Sequence, residues 1–417
     1  MEPVVKGKNY LGINSLGRIG KLMLWNQLVN RNFDGVVVNL GREVGKRPED
    51  VIGALESDST YGRLDHFVYG HSGKKVECKV VDPTNFVFDI DGMYVKVLTK
   101  ERNPKNIPWA KEGVQIVVDC TGQFLDPTAD VESAKGSLRG HLAGGAKKVV
   151  ASAPFKIKDS AKKMPNDSVM MVYGINHMDF DPLKHHVVSA ASCTTTGLAH
   201  MIKPLLENPA TSNILTASMS TVHAATNTQS VLDTIPSMGA SDLRKTRSVF
   251  NNIILSTTGA AKALDSILPQ IQEIGFMADS VRIPTTTVSL ITLNLTFYSE
   301  VDDKGNATIN REVINNIYKD AASGAQRDMV VFSEKQNVSS DLVGYRAATV
   351  IEGHETHTRT GFIRLPVESL AKYGVQASSE ISIPVTHLKV FGWYDNEYGS
   401  YVNFLTKLVN HINLSLR

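Results

Sequence analysis

The stretch Tyr10-Leu-Gly-Ile-Asn-Ser-Leu-Gly-Arg-Ile-Gly20 decides the fold. Tyr10–Asn14 reads as a short buried strand, and Ser15-Leu-Gly17-Arg18-Ile19-Gly20 reads as a turn. Ile19, Leu22, Trp25, Leu28 and Val29 then share one face of a helix. A second strand, Val36-Val-Val38, follows about twenty residues on from the turn. Strand, glycine turn, helix and strand form a mononucleotide-binding unit, in which N–H groups at the helix N-terminus hold a pyrophosphate. Two departures stand out. The first glycine of G-x-G-x-x-G is Ser15. The acid expected to bind a ribose 2′-hydroxyl is replaced by Leu40, followed by Gly41-Arg42.

Working outward, Ile116-Val-Val-Asp119 leads into Cys120-Thr121-Gly122, and Lys148-Val-Val-Ala151 leads into Ser152-Ala-Pro154. A helix-compatible segment ending at Gly144-Gly145 lies between them. Such strands place small polar residues at the carboxyl edge of a parallel sheet, so this half is an α/β, doubly wound domain. Val187-Val188 then enters Ser189-Ala-Ala-Ser-Cys193-Thr-Thr-Thr-Gly-Leu198, with Leu198, Met201, Ile202 and Leu205 in helical spacing. A cysteine where a strand becomes a helix sits near a helix N-terminus, which favours the nucleophilic thiolate. The competing reading is a small buried hydrophobe.

Beyond Cys193 the texture changes. Thr216 to Ala225 reads as a strand carrying His223, followed by a polar stretch with Arg244, Lys245 and Arg247. Thr287 to Tyr298 alternates as a half-buried antiparallel strand, with Ser289, Ile291, Leu293, Leu295 and Phe297 on one face. Ile309, Val313 and Ile317 suggest a helix, residues 351–382 read as an extended polar insertion, and Val402 to Ile412 reads as a closing helix. The pair His354-Glu-Thr-His357 lacks the spacing of a zinc-protease helix and reads as solvated surface, so no metal site is expected.

A chain of 417 residues exceeds what one core usually supports, which implies two domains. Lys+Arg 44 against Asp+Glu 42 leaves a net charge of +2, which gives no electrostatic reason for a nucleic-acid or membrane partner. Three cysteines, Cys78, Cys120 and Cys193, form no disulfide framework. The first residues carry no apolar signal core, so a cytoplasmic location is expected.

Taken together the chain resembles the glyceraldehyde-3-phosphate dehydrogenase family of bacterial and eukaryotic type. The resemblance rests on Gly12-Ile-Asn-Ser-Leu-Gly-Arg-Ile-Gly20, Glu101-Arg-Asn-Pro104, Cys120-Thr-Gly122 and His141-Leu-Ala-Gly-Gly-Ala-Lys-Lys148. It continues through Ala191-Ser-Cys-Thr-Thr195, Thr221-Val-His-Ala224, Ser256-Thr-Thr-Gly-Ala-Ala-Lys262 and Trp393-Tyr-Asp-Asn-Glu397, all in the family's order. The surplus length is expected in insertions near residues 64–100 and 351–380.

This resemblance implies a Rossmann domain of residues 1–192 rejoined by 394–417, around an α+β catalytic domain of residues 193–393 with a mixed sheet. Cys193 would be the nucleophile and His223 its proton acceptor, held as a thiolate–imidazolium pair. Ser192, Thr194, Thr258 and Gly259 would hold inorganic phosphate. Thr226 and Arg282 would hold the substrate's own phosphate, with Arg244 or Arg247 adding positive potential. Gly17, Arg18, Ile19, Arg102, Thr121, Gly122 and Ser152 would line the cofactor groove, and Asn396 would bind the nicotinamide carboxamide. The implied reaction oxidises D-glyceraldehyde 3-phosphate through a thioester, in a homotetramer. Erythrose 4-phosphate oxidation and a non-catalytic, thiol-sensing role are the alternatives. Thr196, Gly197 and Ser400 depart from the family's pattern around the nicotinamide. The loss of the acid at Leu40, with Arg42 nearby and Gly239 where NAD-specific members tend to have proline, implies use of NADP as well as NAD.

Overall fold

The structure, a computed structural model, describes residues 8–240 and 242–417. The N-terminal stretch read above as lacking a signal core lies largely outside the described residues. The chain divides into two compact units, one running to Thr196 and resuming at Glu397–Arg417, the other Gly197–Asn396.

Among the described residues the first unit contains a nine-stranded sheet. Its order is Ser168–Met170, Val187–Ser189, Lys148–Ala151, Val114–Asp119, Tyr10–Asn14, Gly35–Asn39, Met93–Leu98, Val87–Ile90 and Cys78–Asp82. Every pairing from Ser168–Met170 to Met93–Leu98 is parallel. The last two strands close the edge antiparallel. Strand order reverses at Tyr10–Asn14, which has Gly35–Asn39 on one side and Val114–Asp119 on the other. The carboxyl ends of such strands part around a crevice, the place where open α/β sheets bind ligands. Val36, Val37, Val38, Ile116, Val117 and Val118 are fully buried, because helices cover both faces of a parallel sheet.

The helix Arg18–Asn30 is buried beyond the single face read from its sequence: Met23, Leu24, Asn26 and Gln27 are covered as well. Its Leu22 and Leu28 share one apolar cluster with Leu405, Leu408, Val409 and Ile412 of the C-terminal helix Asn403–Leu414. Residues 64–100, where surplus length is expected, contribute strands to the main sheet. Met93–Leu98 pairs in register with Gly35–Asn39 and extends the main sheet.

Among the described residues the second unit is built on a mixed sheet of eight strands. Its order is Ile254–Thr257, Gly275–Ile283, Ile214–Ala224, Ser289–Tyr298, Ile381–Tyr394, Thr349–Glu352 and Val330–Ser333, with His357–Leu365 also paired to Ile381–Tyr394. Ser289–Tyr298 alternates buried and half-buried residues along its length, as its sequence pattern predicts. The helix suggested by Ile309, Val313 and Ile317 starts at Arg311, where the Asn310 side chain accepts from the Val313 N–H. Its buried residues are Ile314, Ile317 and Tyr318. The polar segment after Ile351 is ordered too: His357–Leu365 forms a hairpin with the first half of Ile381–Tyr394. Its outer residues are largely exposed, which is why no apolar period marks it in the sequence.

Candidate active site

In the first unit the glycine turn closes tightly. Ser15 donates its N–H to Asn39 O at 2.8 Å, and its Oγ accepts from Gly17 N at 3.2 Å. Its φ is +86°, a left-handed conformation that glycine adopts without penalty and serine does not. The missing first glycine of the motif therefore changed the residue and left the turn's conformation in place. Gly20 is irreplaceable for a different reason. A Cβ there would lie 1.9 Å from the Ser15 carbonyl oxygen, so helix and turn meet at contact distance. The first-turn N–H groups of a 13-residue helix stand directly behind this turn.

Arg18 is committed to the protein. Its Nε and Nη2 donate to the Glu397 carboxylate, at 3.1 and 2.6 Å, and its Nη1 donates to Asp58. Asp58 Oδ1 also accepts from the N–H groups of Thr60 and Tyr61. What Arg18 can offer a pyrophosphate is thus its backbone N–H rather than its guanidinium. Ile19 packs on the apolar core beside it, and Arg102 Nε donates to Gly41 O at 3.0 Å. Leu40 leans on the same core, and Arg42 is exposed.

The carboxyl ends of the three central strands are joined by a buried polar network that the motifs alone do not reveal. Asn39 Nδ2 donates to Asn14 Oδ1 at 2.9 Å, and Asn14 Nδ2 donates to Asp119 Oδ2 at 2.7 Å. Trp109 Nε1 donates to His141 Nδ1 at 3.0 Å. His141 must therefore carry its proton on Nε2, which lies 3.0 Å from Asp119 Oδ2. The other Asp119 oxygen accepts from Thr121 N and, at 2.6 Å, from Thr121 Oγ1. Asp119 thereby sets Thr121 and the following Gly122, whose φ is +64°. Ser152 N donates to Asp119 O at 2.9 Å. A charged residue between an apolar strand and a Thr-Gly turn was the available signal for Asp119; nothing local pointed to its partners.

Burial distinguishes two of the cysteines from a nucleophile. It pushes Cys78 up to about 11 and Cys120 far above the ordinary thiol range, so both stay protonated. Cys193 opens the 15-residue helix Cys193–Glu207. Ser192 caps that helix: its Oγ accepts from Thr195 N at 3.1 Å, and its carbonyl accepts from Thr196 N and Thr196 Oγ1. The thiol therefore sits at the positive end of the helix dipole, where a thiolate is stabilised. The chain before it is strained, with Ala191 at φ +54°. Tyr401, buried, donates its hydroxyl to Ala191 O at 3.1 Å. Burial above all holds that phenol protonated. Ser400 leaves its expected tyrosine one position late, yet the displaced ring still braces the nucleophile's segment. Gly197 continues the helix where a Cβ would lie 3.2 Å from Ile291 Cδ1, a tight fit for anything larger.

In the second unit His223 is the penultimate residue of the strand Ile214–Ala224 and is 3% exposed. Arg282 is its register partner on Gly275–Ile283. His223 Nδ1 lies 2.8 Å from Ala224 O, Arg282 Nη1 donates to that same oxygen at 3.2 Å, and Arg282 Nη1 also touches His223 Nδ1. Burial, and next the Arg282 charge, push His223 down to about 3, with the Ala224 carbonyl offsetting only part. Burial and the Arg282 charge thus both favour the neutral imidazole over the imidazolium. Thr226 Oγ1 bonds Gln229 Oε1 and Thr228 Oγ1, and Thr258 Oγ1 accepts from Ala260 N, with Gly259 exposed between them in sequence. Arg244 and Arg247 are paired on the surface with Asp242 and Asp233. Asn396 is buried, and its Oδ1 accepts from Ser289 Oγ at 2.9 Å. His354 bonds Glu334 O and His357 meets Glu355; among the described residues no cluster could hold a metal ion, and no helix is long and apolar enough to cross a membrane.

Comparison with known proteins gives this geometry a context. Residues 9–127 match the family model described as glyceraldehyde 3-phosphate dehydrogenase, NAD binding domain, and residues 192–367 match its C-terminal domain. A glyceraldehyde-3-phosphate dehydrogenase of Streptomyces coelicolor is 34% identical over 400 residues, 95% of this chain and 96% of that protein. The chain belongs to the glyceraldehyde 3-phosphate dehydrogenase family. The enzyme of that name from Geobacillus stearothermophilus is 34% identical over 390 residues, 93% of this chain and 94% of its own length. One from Bacillus subtilis is 32% identical over 402 residues. In this family's frame the first unit carries the NAD binding domain, and its turn fits the group. The close approach at Gly20 and a helix N-terminus that no side chain caps are what a pyrophosphate requires. The C-terminal family model begins at Ser192, the cap of the helix that Cys193 opens.

Proposed function

We propose that this protein oxidises D-glyceraldehyde 3-phosphate, in the presence of inorganic phosphate, to 1,3-bisphosphoglycerate. The observation that carries the reading is Cys193 as the first residue of a capped 15-residue helix, in a chain that matches the family almost end to end. Cys193 Sγ bonds to the aldehyde carbon, and His223 takes the thiol proton. Burial and the Arg282 charge both disfavour the imidazolium, and a phosphate anion on Arg282 would offset the second of these. NAD bound along the glycine turn supplies the acceptor for the hydride that leaves the hemithioacetal carbon. The thioester left on Cys193 is attacked by inorganic phosphate held by Ser192, Thr194, Thr258 and Gly259. The C–S bond then breaks and an acyl phosphate departs. Thr226 and Arg282 hold the phosphate of the substrate itself.

Two finer readings go with this. The absence of an acid at Leu40 and the exposed Arg42 support use of NADP beside NAD. Val231, Leu232, Ile235, Met238, Phe250 and Ile253 stand exposed along one segment of the second unit. Apolar exposure on that scale supports burial between copies, and we take the assembly to be a homotetramer of cytoplasmic location. The test is nicotinamide reduction by the purified protein with either nucleotide, with and without inorganic phosphate, beside the Cys193→Ser variant. Phosphate-dependent turnover that the variant abolishes is the expected result. No turnover with either aldehyde phosphate would leave the thiol-sensing role instead. Arg42→Ala should raise KM for NADP and spare that for NAD; equal effects would exclude the role given to Arg42.

A further inference from the structure

Ser289 belongs to none of the motifs above, yet it connects the ends of two strands. It is fully buried at the start of Ser289–Tyr298. Its Oγ accepts the Ala224 N–H at 3.0 Å and donates to Asn396 Oδ1 at 2.9 Å. The residue before Asn396 is also held. Asp395 accepts from Thr287 Oγ1 and from Gly344 N, each at 2.8 Å. The backbone leading to Asn396 is thus anchored independently of Ser289, so what Ser289 governs is the side-chain amide.

An asparagine amide has two nearly isosteric ends, one accepting and one donating, and local partners decide which way it faces. A hydroxyl has one hydrogen to give and lone pairs to receive with. The Ala224 N–H occupies one lone pair of Ser289, and Asn396 Oδ1 receives its hydrogen. With the amide reversed, Nδ2 would face Ser289 and the hydroxyl hydrogen would be buried without an acceptor, which the site disfavours. Asn396 is therefore oriented with its NH2 group turned away from Ser289, as a donor. A donor selects a carbonyl oxygen and rejects an amino group in the same place.

We propose that Ser289 is a positioning residue for the nicotinamide: it orients Asn396 so that the amide donates to the carboxamide carbonyl of the ring and thereby fixes the ring's rotation. This rests on the reading of Asn396 as the nicotinamide contact. Ser289 touches neither substrate nor cofactor and acts through Asn396.

The experiment is titration calorimetry on the full-length protein with NAD and with ADP-ribose, which shares everything but the nicotinamide. Ser289→Ala should weaken NAD about fivefold, the loss of one buried hydrogen bond, and leave ADP-ribose unchanged. In the Asn396→Ala background the same substitution should add nothing. Ser289→Cys, close in size with a weaker donor, is the second variant should alanine compromise folding, and its NAD affinity should fall between. Equal weakening of both ligands would mean a merely structural serine, and an additive loss in the Asn396→Ala background would mean action by another route. Either result overturns the proposal, as does NAD binding unchanged in both variants. Because the readout is binding, absence of aldehyde oxidation by the wild-type protein would count against the reaction proposed above and not against Ser289.

Discussion

Replacing Gly20 by alanine tests the nucleotide turn at its tightest point. The new methyl would stand 1.9 Å from Ser15 O, 3.0 Å from Ser15 C and 3.4 Å from Cys120 Cβ. A carbon and a carbonyl oxygen in close favourable contact sit about 3.3–3.6 Å apart, so helix and turn would have to separate by roughly 1.5 Å. Ser15 has little freedom to yield. Its φ is already +86°, its N–H is bonded to Asn39 O, and its Oγ is bonded to Gly17 N. Overpacking of this kind costs about 1–3 kcal/mol, from which alanine's better helix propensity returns about 0.8–1 kcal/mol. The expected loss is up to about 2 kcal/mol in the stability of the first unit. NAD affinity should fall at least tenfold, because a displaced helix carries its N-terminal donors away from a pyrophosphate and each charge-assisted hydrogen bond contributes about 1.5–3 kcal/mol. Gly17 is the control for stability. A Cβ there meets only Ser15 Oγ, at 3.7 Å, so Gly17→Ala should stay within about 0.5 kcal/mol of wild type. Denaturant titrations and calorimetry with NAD give both quantities. If the two alanine variants unfold alike, or Gly20→Ala binds NAD as wild type does, the reasoning is wrong.

Two further outcomes follow from charges. Arg18→Ala leaves Asp58 and Glu397 without their shared guanidinium, and breaking a buried pair costs about 3–5 kcal/mol; with the arginine partly exposed, about 2–3 kcal/mol is expected. Arg247→Ala, which removes an exposed pair with Asp233, should change the unfolding free energy by less than about 0.5 kcal/mol, and similar losses in both variants would refute the distinction. His223 binds a proton in the unfolded chain near its ordinary 6.5 but in the folded chain only near 3. Below 6.5 the unfolded state therefore holds more protons, and stability falls with falling pH by up to about 1.4 kcal/mol per unit until His223 itself protonates. His223→Gln should remove that part of the acid slope; an unchanged slope between pH 6 and 4 would show that His223 is not held neutral.

Much of this protein was legible in its residues because the deciding signals are local. The Tyr10–Gly20 turn, the apolar strands ending in Thr-Gly and Ser-Ala-Pro, the alternation of Ser289–Tyr298 and the cysteine ahead of a helical period all lie within single elements. Backbone geometry follows from such patterns without knowledge of distant neighbours. Even the departure at Ser15 was visible, although its consequence was not: only the folded turn shows serine held at φ +86° with Gly20 against its carbonyl. What tertiary structure alone decided are the relations between side chains far apart in sequence. Arg18 reads as a groove residue and turns out to clamp Glu397, 379 positions away. Asp119 gathers Asn14 and His141, and Ser289 joins Ala224 to Asn396. His223 reads as a proton acceptor, and only the fold shows that burial, with the neighbouring strand's Arg282, favours its neutral form. The exposed hairpin at His357–Leu365 escaped reading because its residues need satisfy no core. Hydrophobic period and turn chemistry are written along the chain, whereas protonation, orientation and charge pairing depend on which elements the sheet order sets side by side.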